Sequence, residues 1–177
     1  MLRILTLVLL AVLVGCASNR TAAPLRSGSL TPAQTERVEV LIEALYRSFG
    51  HGEGEEPDWK LMRSVFVDGA QFVGEAPAGG SPKPQTVDAF ISSWQASIRS
   101  SAARRPAQAE RITGTRITTV GRLVRVDVAF QAKKSNDPAP RKPGLDSLLL
   151  TEVAGVWKVL SFVVHFESKL PESGGGT

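Results

Sequence analysis

Three polar side chains stand out because they interrupt apolar parts of the sequence. Asp127 lies in the valine-rich run at 123–132, His165 lies in the apolar run at 156–166, and Tyr46 is the only tyrosine. A carboxylate or an imidazole can act as a general base, and a phenol can donate a hydrogen bond to a developing negative charge. Tyr46, Asp127 and His165 are therefore the candidates for acid and base chemistry.

Each candidate also has a purely structural interpretation. Tyr46 lies beside the apolar face of a predicted helix, where its hydroxyl would reach water. On the last predicted strand, alternation assigns the side chains to two faces, and the more apolar face should pack under the helices. The first face carries Leu160, Phe162, Val164 and Phe166, and the second carries Val159, Ser161, Val163 and His165. We therefore expect His165 to point outward with Ser161.

The spacing of the strands argues against a direct pair of Asp127 and His165. The predicted strand at 145–153 should lie between their strands, so two interstrand spacings of ~4.8 Å separate their backbones. A ligand could still span that distance. Asp68 is a weaker candidate for a base, because it precedes Gly69 in a predicted turn, which is a common position for aspartate.

Motifs for cofactor, metal and nucleophilic chemistry are missing from the sequence. It contains no GxxxxGK[ST], GxSxG or HExxH pattern. His51 is followed by Glu53, Glu55 and Glu56 in a glycine-rich loop, which offers too few good ligands for a metal site. We predict no cofactor and no metal. Nucleic acid is not predicted as a partner either, because the net charge of +4 is scattered and forms no continuous basic face.

The N-terminus has the pattern of a secretion signal. Arg3 precedes an apolar stretch at 4–14 that is too short to span a bilayer, and the stretch ends at Leu13-Val14-Gly15-Cys16. This ending resembles the lipobox of bacterial lipoproteins, in which the cysteine receives a diacylglyceryl group. Cys16 is the only cysteine in the chain. We expect a signal peptide at 1–15, a lipid on Cys16 that holds the protein to the membrane, and a tether at 16–30.

The lipobox resemblance also implies a location. Ala17 stands where lipoproteins retained at the inner membrane carry aspartate. The resemblance therefore implies export to the cell envelope and an outer-membrane anchor facing the periplasm. At the other end of the chain, residues 169–177 have little apolar content and are predicted to be disordered.

Between these ends, the periodicity predicts an α+β domain. Thr31, Asp58 and Thr86 are predicted to cap three amphipathic helices, with a short strand at 70–73 after the second. From residue 110 onward the pattern alternates, which predicts a four-strand antiparallel meander that ends in the apolar hairpin at 145–167. The predicted fold therefore packs three helices on one face of a curved antiparallel sheet.

Several runs of the sequence resemble the nuclear transport factor 2-like superfamily, also called SnoaL-like. The runs are DWKLMRSVFVDGAQFV at 58–73, TVDAFI at 86–91 and VWKVLSF at 156–162, within a domain that spans 31–168. The resemblance implies a cone-shaped α+β barrel of the cystatin-like kind, with a ligand pocket at its open end. It also implies that the outer face of the sheet can form a homodimer.

Known members of this superfamily include isomerases, dehydratases and polyketide cyclases, together with proteins of no known activity. We expect a non-catalytic pocket or interaction domain that binds a small apolar ligand or an envelope partner. Trp59, Phe72, Trp94 and Phe130 are predicted to form the pocket wall. The alternative is an isomerase, dehydratase or cyclase that acts in the cone, with Tyr46 donating to an enolate oxygen and Asp127 or His165 nearby.

Overall fold

A computed structural model describes residues 28–74, 81–100, 106–137 and 143–165. It contains three helices and six strands in these ranges. In chain order they are α1 (Pro32–Phe49), α2 (Trp59–Val65), β1 (Phe66–Val73), β2 (Pro84–Thr86), α3 (Val87–Ser100), β3 (Gln108–Val120), β4 (Leu123–Lys134), β5 (Gly144–Val153) and β6 (Val156–His165).

The six strands form one sheet in the order β2-β1-β6-β5-β4-β3. Strands β3 to β6 make the expected antiparallel meander, whereas β1 adds to the edge of β6 in a parallel orientation. The prediction of an α+β domain with three helices and a sheet is confirmed. The sheet is mixed rather than wholly antiparallel, and it includes a short strand, β2, that pairs with β1 just before α3.

Side-chain caps fix where the three helices begin. Thr31 and Gln34 form a reciprocal capping box at α1, and Asp58 accepts a hydrogen bond from the Leu61 amide at 2.8 Å. Thr86 Oγ1 accepts from the Ala89 amide at the start of α3. Each such cap contributes about 1 kcal/mol and satisfies an amide that the helix itself cannot. The three predicted caps are confirmed.

The core lies between the helices and one face of the sheet. Val38, Ile42 and Leu45 of α1 are fully buried, as are Val126 and Val128 of β4. This strand alternates as predicted, with its valines facing the helices. None of the helices in the described ranges has the length and apolar content that crossing a bilayer requires.

A β-bulge in β6 changes the expected division of that strand into two faces. Val159 pairs with Leu150 and Ser161 pairs with Leu149, so Leu160 is an extra residue without a counterpart. The prediction that placed Val159 on the outer face is wrong, because its side chain is fully buried in the core with Phe162. Beyond the bulge alternation resumes.

Candidate functional site

A cavity of about 340 Å³ lies between helices α1 and α3 and the inner face of the sheet. Its volume is in the lower part of the range of small-molecule sites. The lining is mostly apolar, with six aromatic rings, and its only ionisable groups among the described residues are two carboxyls. The described lining residues are Phe49, Phe72, Gly74, Phe90, Trp94, Gln108, Glu110, Phe130, Asp146, Phe162 and Val164.

Stacked phenyl rings make part of the wall flat. The Phe72 ring lies 3.7 Å from that of Phe90 with an interplanar angle of 13°, and 5.1 Å from that of Phe162 at 16°. Trp94 continues the wall, with its ring 5.4 Å from that of Phe90. Aromatic surfaces of this kind favour ligands with a planar apolar body, which can stack against them or meet them edge-on.

Local sequence explains how Phe130 reaches the cavity. Phe130 on β4 pairs with Gly144 on β5, and its ring lies across the glycine. A Cβ atom at position 144 would come within 2.4 Å of the Phe130 ring. Because Gly144 has no side chain, the Phe130 ring fits over it. A larger residue at position 144 would push this ring toward the cavity.

Asp146 forms a buried hydrogen bond with Tyr46 at the cavity wall. The tyrosine hydroxyl donates to Asp146 Oδ2 at 2.5 Å, and both side chains are almost fully buried. The expectation that the Tyr46 hydroxyl reaches water is therefore wrong, because α1 turns this residue toward β5. The other carboxyl oxygen of Asp146, Oδ1, has no hydrogen-bond partner within the described part of the chain.

Burial shifts the protonation of this pair strongly. Loss of contact with water raises the pKa of Asp146 to about 8, with a further rise from the nearby charge of Glu110, while the hydrogen bond from Tyr46 opposes the shift. The pKa of Tyr46 is also raised, first by burial and then by the charge of Asp146. Tyr46 is therefore a neutral donor at any physiological pH.

Glu110 on β3 is the second acid of the cavity. Its half-buried side chain accepts a weak hydrogen bond from Gln108 Nε2 at 3.4 Å. Burial raises the pKa of Glu110 to about 7, against the smaller lowering effect of Gln108. Both carboxyls can therefore exchange protons near neutral pH, either as hydrogen-bond donors below their pKa or as anions above it.

The predicted wall residues have two different positions. Phe72, Trp94 and Phe130 line the cavity. Trp59 instead packs edge-on against Trp94, with ring centroids 5.2 Å apart, and its indole N–H donates to Glu56. Trp59 supports the wall from α2 through its contact with Trp94 and is not among the lining residues.

The three predicted acid and base candidates are not brought together. Tyr46 on α1 points toward the inner face of the sheet. Asp127 lies on the outer face, where it accepts hydrogen bonds from Arg125 at 2.9 Å and Ser147 at 2.8 Å. His165 is exposed at the end of β6 and pairs with Leu145. Leu145 and Ser147 are alternate residues of β5, so His165 lies on the same outer face as Ser147 and its contact with Asp127. Asp127 and His165 therefore have no access to the cavity.

The remaining predicted positions add no second site. Asp68 is exposed, and the His51 ring contacts only the carbonyl of the next residue, Gly52, among the hydrogen bonds of the described residues. Within the ranges that the structure covers, no group of three or more His, Cys, Asp or Glu side chains could hold a metal ion. The signal peptide at 1–15, Cys16, residues 16–27 of the predicted tether at 16–30, and the tail at 169–177 lie outside the described residues.

Sequence reasoning missed Asp146 and Glu110, although a signal for Asp146 was present. Asp146 occupies the same alternation as Leu148 and Leu150, two residues of the apolar strand whose side chains face the core. An acid at a core position of an apolar strand is the pattern of a functional carboxyl. Glu110 carried no comparable signal, because β3 reads as a polar, threonine-rich edge strand.

Comparisons with known proteins establish the fold. No protein-family model matches the sequence, and no curated protein matches it. Among solved structures, a protein of unknown function with a cystatin-like fold from Nostoc punctiforme matches with a TM-score of 0.60 and 12% identity, over 81% of this chain and 98% of that one. An NTF2-like protein of unknown function from Shewanella baltica matches with a TM-score of 0.51 and 19% identity, over 80% and 100%.

A third structure, an NTF2-like protein of unknown function from Pseudomonas putida, gives a TM-score of 0.60 at 11% identity, over 77% of this chain and 89% of that one. The chain has the NTF2-like, or cystatin-like, fold. At these identities the likeness extends to the fold alone. What the NTF2-like domain does must therefore be argued from its own cavity.

Proposed function

We propose that the protein binds a small, largely apolar molecule in the cavity of its NTF2-like fold. The observation that carries the proposal is a wall of six aromatic rings interrupted by two carboxyl groups, Glu110 and Asp146. The rings would hold a flat apolar body by burial and stacking. The two carboxyls would hold its polar end.

The position of Asp146 supports this use of the cavity. A buried acid with an unpaired oxygen costs free energy of folding, because water no longer solvates that oxygen. An apolar residue at the same place would pack against Leu148 and Val128 without this cost. A ligand group that reaches Oδ1 would give the carboxyl its missing partner.

A fluorescent probe tests the proposal directly. N-phenylnaphthylamine is neutral near pH 7 and becomes fluorescent in apolar sites, so we expect saturable binding of one probe per chain. Val164→Trp should fill the cavity and reduce the affinity about tenfold or more. Val163→Trp is the matched control, since Val163 is the neighbouring residue on the outer face. Equal binding by both variants, or no saturable binding by the native protein, would refute the proposal.

We also propose that a lipid on Cys16 anchors this domain to the cell envelope, with residues 16–30 as the tether. The support is the lipobox-like Leu13-Val14-Gly15-Cys16 and the absence of any other cysteine from the sequence. Metabolic labelling with a palmitate analogue should tag the protein, and Cys16→Ala should remove the label. Label that persists in Cys16→Ala would contradict the anchor. Association through the outer sheet face, with a second copy or an envelope partner, stays a prediction.

Acid and base catalysis is the second candidate function. It is favoured by one observation, which is that two carboxyls with pKa values of about 7 and about 8 share the cavity. Such a pair could move a proton between two carbon atoms of a ketone. Conversion of cyclohex-3-enone to its conjugated isomer, followed by ultraviolet absorbance, is a suitable assay. A rate that is the same for the native protein and Glu110→Gln would remove this candidate.

A further inference from the structure

We propose that the ligand of this cavity is an organic cation, namely a primary or secondary ammonium group on a flat apolar body. The inference rests on the proposed binding function and names the class of ligand. The charges of the side chains around Asp146 and Glu110 support this class of ligand. Among the described residues that line the cavity, these two acids have no lysine, arginine or histidine beside them.

The neighbours of the two acids are hydrogen-bond donors without charge. Tyr46 on α1 donates to Asp146 Oδ2, and Gln108 on β3 donates to Glu110. Tyr46 has a single hydrogen to donate, so its hydroxyl is committed to the aspartate and cannot also bind a ligand carbonyl. Both contacts treat the carboxyls as acceptors. The described part of the cavity therefore supplies hydrogen bonds that a carboxylate needs, and none of its lining residues carries a positive charge.

The other described residues that line the cavity are apolar, apart from Gln108. Strand β1 contributes Phe72, α3 contributes Phe90 and Trp94, β4 contributes Phe130, and β6 contributes Phe162 and Val164. Faces of aromatic rings attract cations through the negative charge of the π-system. A cationic head group would therefore favour the ionised form of both carboxyls and meet several ring faces, whereas an anionic head group would be repelled by ionised carboxyls.

The unpaired oxygen of Asp146 gives the ammonium group a point of attachment. Asp146 is one of the residues that line the cavity; its Oδ1 is buried and has no partner among the described residues, while Oδ2 is already bonded to Tyr46. An ammonium nitrogen carries two or three hydrogens. It can donate one to Asp146 while the negative charge of Glu110 in the same cavity also attracts it, whereas a neutral alcohol gains nothing from either charge.

Protonation of the acids predicts how affinity depends on pH. Burial holds the pKa of Glu110 near 7, and burial together with the charge of Glu110 holds the pKa of Asp146 near 8 in the free protein. A bound cation favours the ionised carboxyls, so binding must release protons below these values. The affinity for an ammonium ligand should therefore rise as the pH increases from about 6 to about 8.5. A neutral ligand that accepts a hydrogen bond from a protonated acid would show the opposite trend.

Three probes of one shape test the inference by isothermal titration calorimetry on the full-length protein. Naphthylmethylammonium, naphthylmethanol and naphthoate share a flat body and differ in the charge of the head group. We expect the ammonium probe to bind about tenfold or more tightly than the alcohol near pH 8, and the naphthoate to bind most weakly. Raising the pH from about 6 to about 8 should strengthen binding of the ammonium probe alone.

Two variants test whether Asp146 causes the preference for the ammonium probe. Asp146→Asn keeps the shape and an acceptor for Tyr46, and should bring the affinity for the ammonium probe close to that for the alcohol. Asp127→Asn changes an acid on the outer face and should leave all three affinities unchanged. Melting temperatures of both variants establish that they are folded. Should Asp146→Asn fail to fold, Glu110→Gln replaces it, with a smaller loss of preference for the cation.

The outcomes separate this inference from the binding function beneath it. If the alcohol binds as tightly as the ammonium probe, or if ammonium affinity falls as the pH rises, the cation inference is wrong while the cavity remains a binding site. If none of the naphthalene probes binds and N-phenylnaphthylamine does not bind either, both proposals are wrong. A preference for the ammonium probe that Asp127→Asn abolishes and Asp146→Asn does not would place the site on the outer face and refute the inference.

Discussion

Two aspartates on neighbouring strands show how the two faces of the sheet differ. In the pairing of β4 with β5, Asp127 is opposite Ser147 and Val128 is opposite Asp146, so the two acids are one register step apart on opposite faces. Both are buried, with exposed fractions of 9% for Asp127 and 1% for Asp146. On the outer face, Asp127 has a cation and a hydroxyl as partners. On the inner face, Asp146 has a phenol and an aromatic cavity.

The partners decide what each acid is for. Arg125 and Ser147 both donate hydrogen bonds to the Asp127 carboxylate, so its burial does not require a ligand. Asp146 has the deeper position, a raised pKa and an unpaired oxygen, and none of the hydrogen bonds that the structure describes supplies a counter-charge. The same residue type in the same kind of strand is therefore a structural group on one face and a candidate binding group on the other.

The largest difference between the faces should appear in stability. Phe162 is fully buried beside the cavity, so Phe162→Ala should lower the free energy of unfolding by about 3 to 5 kcal/mol. Val163 is the next residue and belongs to the outer face, where Val163→Ala should cost about 1 kcal/mol or less. Urea denaturation of both variants measures the two values. Equal losses of unfolding free energy would mean that Phe162 and Val163 do not lie on opposite faces of β6.

The pH dependence of stability should follow from the inner acids. Their pKa values in the folded state, about 8 for Asp146 and about 7 for Glu110, exceed the ordinary values of 3.8 and 4.5. Between about pH 4 and pH 8 the folded protein therefore holds protons that the unfolded chain has released, so stability falls as the pH rises. Each carboxyl that is protonated only in the folded state should cost about 1.4 kcal/mol per pH unit, so urea denaturation should show a loss of several kcal/mol between about pH 5 and pH 8.

Two variants assign that loss to one face. Asp146→Asn removes one of the two titrating carboxyls and should reduce the pH dependence in this window by about half, with Glu110 causing the rest. Asp127→Asn changes an acid on the outer face, outside the cavity, and should keep the native slope. A slope in Asp146→Asn as steep as that of the native protein would show that Asp146 does not cause it.

The cavity itself can be narrowed by one methyl group. Gly144→Ala would place a Cβ within 2.4 Å of the Phe130 ring and displace the ring toward the cavity. We expect the affinity for N-phenylnaphthylamine to fall about tenfold, which corresponds to about 1.4 kcal/mol. Gly28→Ala is the control outside the cavity, since its Cβ would meet only Thr119 Oγ1 at an ordinary 3.8 Å. Equal affinities for these two variants would argue against the position of Phe130 described above.

The smallest effect belongs to the outer ion pair. Arg125 is largely exposed, and its guanidinium lies 2.9 Å from Asp127. A double-mutant cycle of Arg125→Ala and Asp127→Ala should give a coupling energy of about 1 kcal/mol or less, because solvent screens the pair. A coupling several times larger would mean that the outer face is covered in solution, for example by a second copy of the chain.

Much of the fold could be predicted because it follows from local rules. The capping residues Thr31, Asp58 and Thr86 satisfy helix amides close to them in the sequence, and strict alternation in β4 separates valines from polar side chains. The parallel pairing of β1 with β6 is different. It joins residues about ninety positions apart, and no local pattern records which edge of the meander β1 will join.

The candidate site was harder to predict because it depends on details between elements. The extra residue Leu160 moves Val159 to the inner face, and a bulge of this kind leaves no clear mark in an apolar run. The hydroxyl of Tyr46 finds Asp146 only when α1 lies across β5. The buried position of Asp146 could nevertheless have been predicted, since it alternates with Leu148 and Leu150 and therefore lies on the core face of its strand.

The most direct test of the account is a titration of the Asp146 carboxyl carbon by NMR, with and without naphthylmethylammonium. The signal can be assigned by its loss in Asp146→Asn. In the free protein the midpoint should lie near the pKa of about 8 that burial causes. Saturation with the ammonium probe should lower this midpoint by about one pH unit or more, because the cation stabilises the carboxylate. A midpoint that stays unchanged or rises would contradict the claim that this cavity binds a cation.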